Sequence, residues 1–372
     1  MRALLLSPYD AGSHKRWRRG LVAALPEWHW TVLTLPPRYF SWRVRGNSLS
    51  WGRGEQAGIL RQRWDLIVAT SMTDLSALRG LVPEIASVPT VVYFHENQFA
   101  YPRTRDAFQS VEPQLLNIYT ALCGDLLLFN SDFNRRSLLD GARQLLKRFP
   151  DQVPAGICEE VAGKSRVLPV PLEPGLFTLS APASACLPSP VPARPESGPL
   201  VISWAARWEY DKGPDRLLQI LEGLESRGID YRLNLLGESF RKSPSEFEVI
   251  RQRFAPRLAA VGYQSSADAY YRLLQGSHVF LSTAHHEFQG LAAMEACALG
   301  CSPVVPDEQA YPDYYPPQCR YGSVEAAVTL IAGLAESLQA GEPLPVVNME
   351  GLSWARLAVE YRQAFDSLLG GE

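Results

Sequence analysis

The 372-residue chain has no apolar run approaching the ~20 residues that cross a bilayer, which argues against a membrane-spanning protein. Its opening, MRALLLSPYDAG, carries one Arg and an apolar stretch too short for a signal-peptide core, so it reads as a first buried strand. A cytoplasmic protein is expected. Cysteine is sparse: six residues, Cys123, Cys158, Cys186, Cys297, Cys301 and Cys319. Only Cys297 and Cys301 are close, and no His or Cys pair completes a zinc site, so reduced and mostly buried thiols are expected. No Asp-x-Asp metal pair occurs. With 46% apolar and 20% charged residues, the composition excludes a mostly disordered chain.

The net charge of −3 hides an asymmetry. Residues 1–180 hold 21 Lys+Arg against 16 Asp+Glu, whereas 181–372 hold 15 against 23. Residues 1–64 alone have 11 basic and 3 acidic residues, interleaved with Trp17, Trp28, Trp30, Tyr39, Phe40, Trp42 and Trp51. Cations attract phosphates and aromatic faces stack on bases, so this segment is a candidate nucleic-acid surface. Its alternative is a solvated basic face over core aromatics.

Short Leu- and Val-rich runs at 3–8, 30–36, 65–71, 90–95 and 125–131 read as strands. Amphipathic stretches at 14–25, 114–123 and 132–146 read as helices. That alternation means an α/β parallel sheet, which binds ligands at its strand C-terminal ends. The stretch 179–199 has six prolines and no periodicity, and reads as a linker. A second α/β series follows. Its strands are expected at 200–207, 231–237, 278–284 and 301–306, and its helices at 214–226, 246–254, 267–275, 290–299, 324–339 and 352–369.

Three pieces of the second half suit a nucleotide sugar. In WAARWEYDKGP, Arg207 and Lys212 lie just ahead of a helix N-terminus, a setting for a diphosphate or, alternatively, an ordinary surface loop. In LLGESF, Gly237 at a strand end permits close approach. In HHEFQGLAAMEACALG, Glu287 lies in the loop ahead of a helix that carries Glu295, and the helix start offers free backbone N–H groups.

Together these resemble the donor half of the retaining family-4 glycosyltransferases of GT-B fold, with their Arg, Lys and E-x7-E pattern. The resemblance implies two Rossmann-like domains facing across a cleft: 1–178 for the acceptor, linker 179–199, 200–351 for the donor, and 352–372 packing back toward the first. It implies that Arg207 and Lys212 hold the diphosphate, Glu287 the transferred sugar and Glu295 the ribose. The amides of Phe288, Gln289, Gly290 and Leu291 would meet phosphate and sugar oxygens, and Tyr263 would lie near the base. Two cations and a helix N-terminus stabilise a departing diphosphate without a metal, so metal-independent catalysis without a cofactor is expected.

The first half carries AGSHKRW, LPEWHWTVLTLPPRYFSWRVRG, FHENQ followed by Tyr-Pro, and FNSDFNRRSLL. These resemble a narrower branch, the tRNA-queuosine α-mannosyltransferases. The implied acceptor is queuosine in tRNA, the implied donor is GDP-mannose, and the implied outcome is retention at the anomeric carbon. No membrane partner is implied. His95 is expected to contact the sugar or the acceptor hydroxyl. Gly12, Ser13, His14, Lys15, Asn97 and Gln98 are expected at the acceptor, with Asn130 and Ser131 on the cleft floor. His29 and His285 read as packing or surface residues, and His286 as a support for Glu287. The rival readings are an enzyme of this fold acting on a polysaccharide or lipid, and a non-catalytic RNA-binding relative.

Overall fold

The computed structural model describes residues 1–101, 110–149, 151–179, 194, 196–240 and 242–370. The chain forms two compact units, Met1–Pro171 with Trp354–Glu372, and Leu172–Ser353.

The first unit is built on strands β1 (Arg2–Ser7), β2 (His29–Thr34), β3 (Leu66–Thr70), β4 (Thr90–Phe94), β5 (Leu126–Phe129) and β6 (Ser165–Val167), in the order β2-β1-β3-β4-β5-β6. All neighbours are parallel. Every residue of β3 and β4 is buried, as strands covered by helices on both faces must be. That is why these runs are continuously apolar rather than alternating. Helix Gly12–Ala24 buries His14, Trp17 and Leu21, one stripe at helical spacing.

The second unit holds β7 (Leu200–Ala205), β8 (Tyr231–Leu236), β9 (Leu258–Gly262), β10 (Val279–Leu281), β11 (Ser302–Pro306) and β12 (Arg320–Tyr321). Their order is β12-β11-β10-β7-β8-β9, again all parallel. Renumbered from β7, this is the Rossmann order 3-2-1-4-5-6. Helix Pro214–Ser226 turns Leu217, Ile220, Leu221 and Leu224 onto the sheet.

The first domain was expected to end at 178, yet the boundary falls after Pro171. Leu172 and Leu176, in and before helix Pro174–Leu179, are fully buried in the second unit's cluster with Met294 and Cys297. Leu172 also forms a parallel bridge with Ser353 and donates its N–H to the Leu352 carbonyl at 2.8 Å. The Pro-rich stretch 179–199 lies mostly outside the described residues. Within it Arg194 donates to the carbonyls of Leu299 (3.1 Å) and Gly300 (2.5 Å), just past the end of helix Leu291–Ala298.

Helix Trp354–Leu369 belongs to the first unit. The Trp354 indole covers Gly20, where an added Cβ would sit 2.3 Å from the ring. Trp17 donates Nε1–H to the Tyr361 hydroxyl at 2.9 Å, and that hydroxyl donates to the Pro169 carbonyl at 3.1 Å. Among the described residues no helix is long and apolar enough to cross a membrane, and no group of His, Cys, Asp or Glu is placed to hold a metal ion. Cys158, Cys297, Cys301 and Cys319 are buried free thiols and Cys123 is half-buried. Burial pushes the Cys301 thiol up to about 12.

Candidate functional site

An open parallel sheet binds its ligand beyond the strand C-termini, where the strand order reverses. In the second unit that point lies between β7 and β10. The loop 206–213 leaves β7 and the loop 282–290 leaves β10, so both open at the same place.

The two loops are fastened by backbone bonds that only certain residues allow. Gly213 has φ +65, and a Cβ there would lie 1.9 Å from the Thr283 carbonyl oxygen. The Thr283 hydroxyl donates to the Lys212 carbonyl (2.9 Å) and accepts from Trp204 Nε1 (2.8 Å). The Asp211 carbonyl accepts N–H bonds from His285 (2.9 Å) and His286 (3.1 Å). Gly237 has φ +138, and a Cβ there would fall 1.7 Å from the Ala206 carbonyl oxygen. Its smallness thus lets the ends of β7 and β8 touch, a backbone role ahead of any ligand role.

This bracing fixes Lys212. Its Nζ lies 3.1 Å from Asp211 Oδ2, 3.2 Å from Glu287 Oε2 and 3.1 Å from the His286 carbonyl. Burial alone would lower the ammonium pKa, but the Glu287 and Asp211 charges outweigh it and raise it, against a smaller opposing effect of Arg207. Burial likewise pushes the Glu287 carboxyl up, yet Lys212 outweighs burial and holds it below its usual value. Both groups are therefore charged at neutral pH. Burial, then Lys212, depress His286, which keeps that ring neutral. Beside the pair lies an open pocket lined by Trp204, Ala206, Lys212, Ser282, Glu287, Gly290 and Tyr311.

Helix Leu291–Ala298 starts at this pocket because Gly290, at φ +80, turns the chain into it. Four amides were expected to face phosphate and sugar oxygens. Those of Phe288 (3.2 Å) and Gly290 point instead at the Glu287 carboxylate, which thereby occupies the anion-attracting end of the helix. Leu291 opens the helix, and the Gln289 side chain is buried against Met294 Sδ at 3.5 Å. Glu295 is buried in the helix body, 5% exposed. Arg207 is half exposed and pairs with Glu209 at 2.9 Å, while Tyr263, just after β9, is 70% exposed. Asp211, Ser282 and Tyr311 were not singled out from sequence. Asp211 adjoins Lys212 in DKG, but nothing local marks Tyr311, whose hydroxyl meets Ser282 Oγ at 2.5 Å.

In the first unit the order reverses between β1 and β3, and His14 and His95 come together there. Their rings stack at 4.1 Å, and His14 Nε2 lies 3.0 Å from Glu96 Oε2. Trp17 meets His95 edge-on at 5.0 Å. Among the described residues, His95 Nε2 and His14 Nδ1 are buried and meet no hydrogen-bond partner, so both keep polar capacity. Gly12, Ser13 and Lys15 are exposed at the start of the first helix. The Gln98 side chain is partly buried and reaches Met72 Sδ at 3.8 Å.

Three expectations in this unit are corrected. Asn97 was expected at the acceptor, but its side chain is fully engaged. Nδ2 donates to Asn134 and Ser137, and Oδ1 accepts from the amides of Phe99 and Ala100. Asn130 and Ser131 were expected to line a binding floor. Asn130 Nδ2 instead donates to the His95 carbonyl at 2.8 Å, and its Oδ1 accepts from Asn134. Ser131 caps helix Asp132–Leu146 through the Asn134 amide. Asn97 and Asn130 thus brace the His95 loop, and Ser131 caps the helix that follows. His29 is exposed, and His285 is tied to Asp215 at 2.6 Å.

Comparison with known proteins follows the same division. Residues 2–172 match the tRNA-queuosine alpha-mannosyltransferase N-terminal family, and 190–317 match glycosyl transferases group 1. A tRNA-queuosine alpha-mannosyltransferase from Drosophila melanogaster is 31% identical over 323 residues, covering 87% of this chain and 84% of that protein. The chain belongs to the tRNA-queuosine α-mannosyltransferase family. It is thus a glycosyltransferase, and its fold is GT-B. The sucrose-phosphate synthase of Thermosynechococcus elongatus has a TM-score of 0.70 at 14% identity, with 100% of each chain covered. HepE of Anabaena in complex with UDP has a TM-score of 0.64 at 13% identity, over 99% of this chain and 100% of that one. These structures share the fold, while the family's own signature lies in the first unit.

Proposed function

We propose that this chain transfers mannose from GDP-mannose to queuosine in tRNA, with retention at the anomeric carbon, in the cytoplasm and without a metal ion or other cofactor. The observation that carries the donor half of this reading is the Lys212–Glu287 pair, 3.2 Å apart, at the start of helix Leu291–Ala298. A nucleoside diphosphate needs a fixed cation and oriented N–H groups as its sugar departs. Lys212 supplies the cation. When the Glu287 carboxylate takes up sugar hydroxyls it releases the Phe288 and Gly290 amides, which then serve the sugar nucleotide. The bond from anomeric carbon to phosphate oxygen breaks and its electron pair passes to the diphosphate; the acceptor oxygen bonds to the anomeric carbon on the same face and gives its proton to a diphosphate oxygen. The acceptor half of the reading rests on the relative from Drosophila melanogaster and on the first-unit family match.

The test is transfer of radiolabel from GDP-mannose to queuosine-containing tRNA, with UDP-glucose as a parallel donor and queuosine-free tRNA as control. Label from GDP-mannose on the queuosine tRNA alone supports the reading. Hydrolysis of the donor with no labelled tRNA keeps the glycosyltransferase and overturns the acceptor.

A further inference from the structure

Apart from the half-buried Trp30, the aromatic residues singled out in the basic first segment divide into two groups. Trp17, Trp28 and Trp51 are core residues, each 4% exposed or less. Tyr39, Phe40 and Trp42 are 73%, 39% and 51% exposed and nearly consecutive. They sit at the start of helix Phe40–Gly52, where Tyr39 adopts φ 54 and ψ 54. That left-handed conformation is disfavoured for a residue with a Cβ, and more so for a bulky one. An exposed ring held in a strained backbone points to a role other than packing.

The surroundings show what the rings suit. The Arg38 guanidinium lies 5.6 Å from the centre of the Tyr39 ring. The Trp42 indole lies flat over Gly46, where a Cβ would come within 2.3 Å of it. Arg45, half exposed, stands one residue pair further along and shares its charge with Asp74 and Glu112. Phe40 meets Tyr9 edge-on at 5.9 Å, which puts the patch beside the loop leaving β1. His14 follows that same loop, so the patch occupies the ligand end of the first sheet. The segment that carries the patch, residues 1–64, has 11 Lys+Arg against 3 Asp+Glu, a balance that favours a polyanion.

We propose that Tyr39 and Trp42 form a stacking platform for unpaired RNA bases neighbouring the acceptor nucleoside, with Arg38 and Arg45 meeting the phosphates. This deepens the function proposed above and rests on its reading that the acceptor is an RNA. Flat rings stack on any base, and arginine beside them supplies backbone attraction, so the platform favours single strands over duplex.

The experiment compares binding of a fluorescent single-stranded RNA and a duplex RNA of equal length to the full chain, wild type and variants. Trp42→Ala and Tyr39→Gly are each expected to weaken single-strand binding by about 5- to 150-fold. Glycine accepts φ 54 without strain, so Tyr39→Gly keeps or raises the melting temperature while it removes the ring. Tyr39→Phe retains affinity. Arg38→Ala lowers the salt slope by about 1. Unchanged RNA affinity in Tyr39→Gly and Trp42→Ala overturns the platform, and so does a change confined to self-association. Transfer to queuosine tRNA is read in parallel. Single-strand binding lost in the variants, in a wild type that transfers nothing to tRNA, supports the platform and overturns the acceptor reading. Transfer with an unaltered KM for tRNA in both variants overturns the platform alone.

Discussion

His14 and His95 lie face to face, 4.1 Å between ring centroids and 20° from parallel, although each is almost fully buried. Two stacked imidazoles cannot both carry charge cheaply. Burial first, and then the His14 charge, hold His95 well below the ordinary histidine pKa of 6.5.

The pH consequence has a definite sign. In the unfolded chain His95 takes a proton as pH falls through 6.5, whereas in the fold it does so only at lower pH. Below 6.5 the unfolded state therefore binds more protons, and stability, complete above 6.5, is lost as the pH drops. The loss is up to about 1.4 kcal/mol per pH unit. His95→Phe removes that proton while keeping a ring. Melting temperatures from pH 7.5 to 5 should fall less steeply in this variant, and identical slopes would count against a neutral His95.

Lys212 serves two ends. Its ammonium neutralises Glu287 and Asp211, and it is also the cation offered to a diphosphate. Lys212→Met is expected to cost about 1–3 kcal/mol of stability, because Glu287 loses its partner in a partly buried setting. Donor affinity should fall at least about tenfold, as for loss of a charge-assisted contact. Calorimetry with GDP against thermal unfolding separates the two effects. A Lys212→Met chain that binds GDP as wild type does would remove Lys212 from the donor site.

Gly237 and Gly213 differ from most glycines of the chain in having backbone oxygens where a Cβ would be, at 1.7 and 1.9 Å. A backbone atom cannot rotate away, and both positions also have positive φ. Gly237→Ala should destabilise the second unit by more than about 2 kcal/mol, with β7 and β8 forced apart. Gly228→Ala is the comparison, since it shares a positive φ (66) but meets nothing within 4 Å. Equal losses at both sites would assign the effect to φ alone.

Much of this arrangement was legible in the sequence. Helices Pro214–Ser226, Ala267–Gln275 and Val324–Gln339 fall where their periodicity puts them, because their apolar stripes and starting signals agree. Helix Phe40–Gly52 was not legible: it has no clean apolar stripe, includes Gly46 and Asn47, and buries polar Arg43, Asn47 and Ser48. Lys212 and Glu287 could be paired from their motifs. The fates of Asn97 and Asn130 could not, because a buried asparagine that braces a loop and one that binds a ligand have the same one-letter signature. Only Asn134, contributed by the next helix, decides between them.

That decision can be tested. Asn97→Ala leaves the Phe99 and Ala100 amides and the Asn134 side chain short of partners in a buried site. About 1–3 kcal/mol of stability should go with each buried group left unsatisfied. Transfer should fall with the folded fraction, while the KM for tRNA stays near the wild-type value. A raised KM in a stably folded Asn97→Ala chain would return this residue to the acceptor.

The terminal helix gives the last prediction. The Tyr361 hydroxyl is at once acceptor for Trp17 Nε1 and donor to the Pro169 carbonyl. Tyr361→Phe deletes one oxygen and leaves the buried Trp17 Nε1–H and the half-buried Pro169 carbonyl without it, so a loss of about 1–3 kcal/mol is expected. The effect should reach the histidine pair, because Trp17 stacks on Tyr93 at 4.3 Å and meets His95 edge-on at 5.0 Å. NMR of the His95 ring is expected to shift in Tyr361→Phe even at a temperature where the chain is fully folded. Arg362→Ala, one residue further along that helix, removes only the exposed pair with Glu27 in the turn before β2 and should leave both the melting temperature and that resonance unchanged. If the two variants behave alike, the helix stabilises the first unit as a whole and has no particular hold on the Trp17–His95 contact.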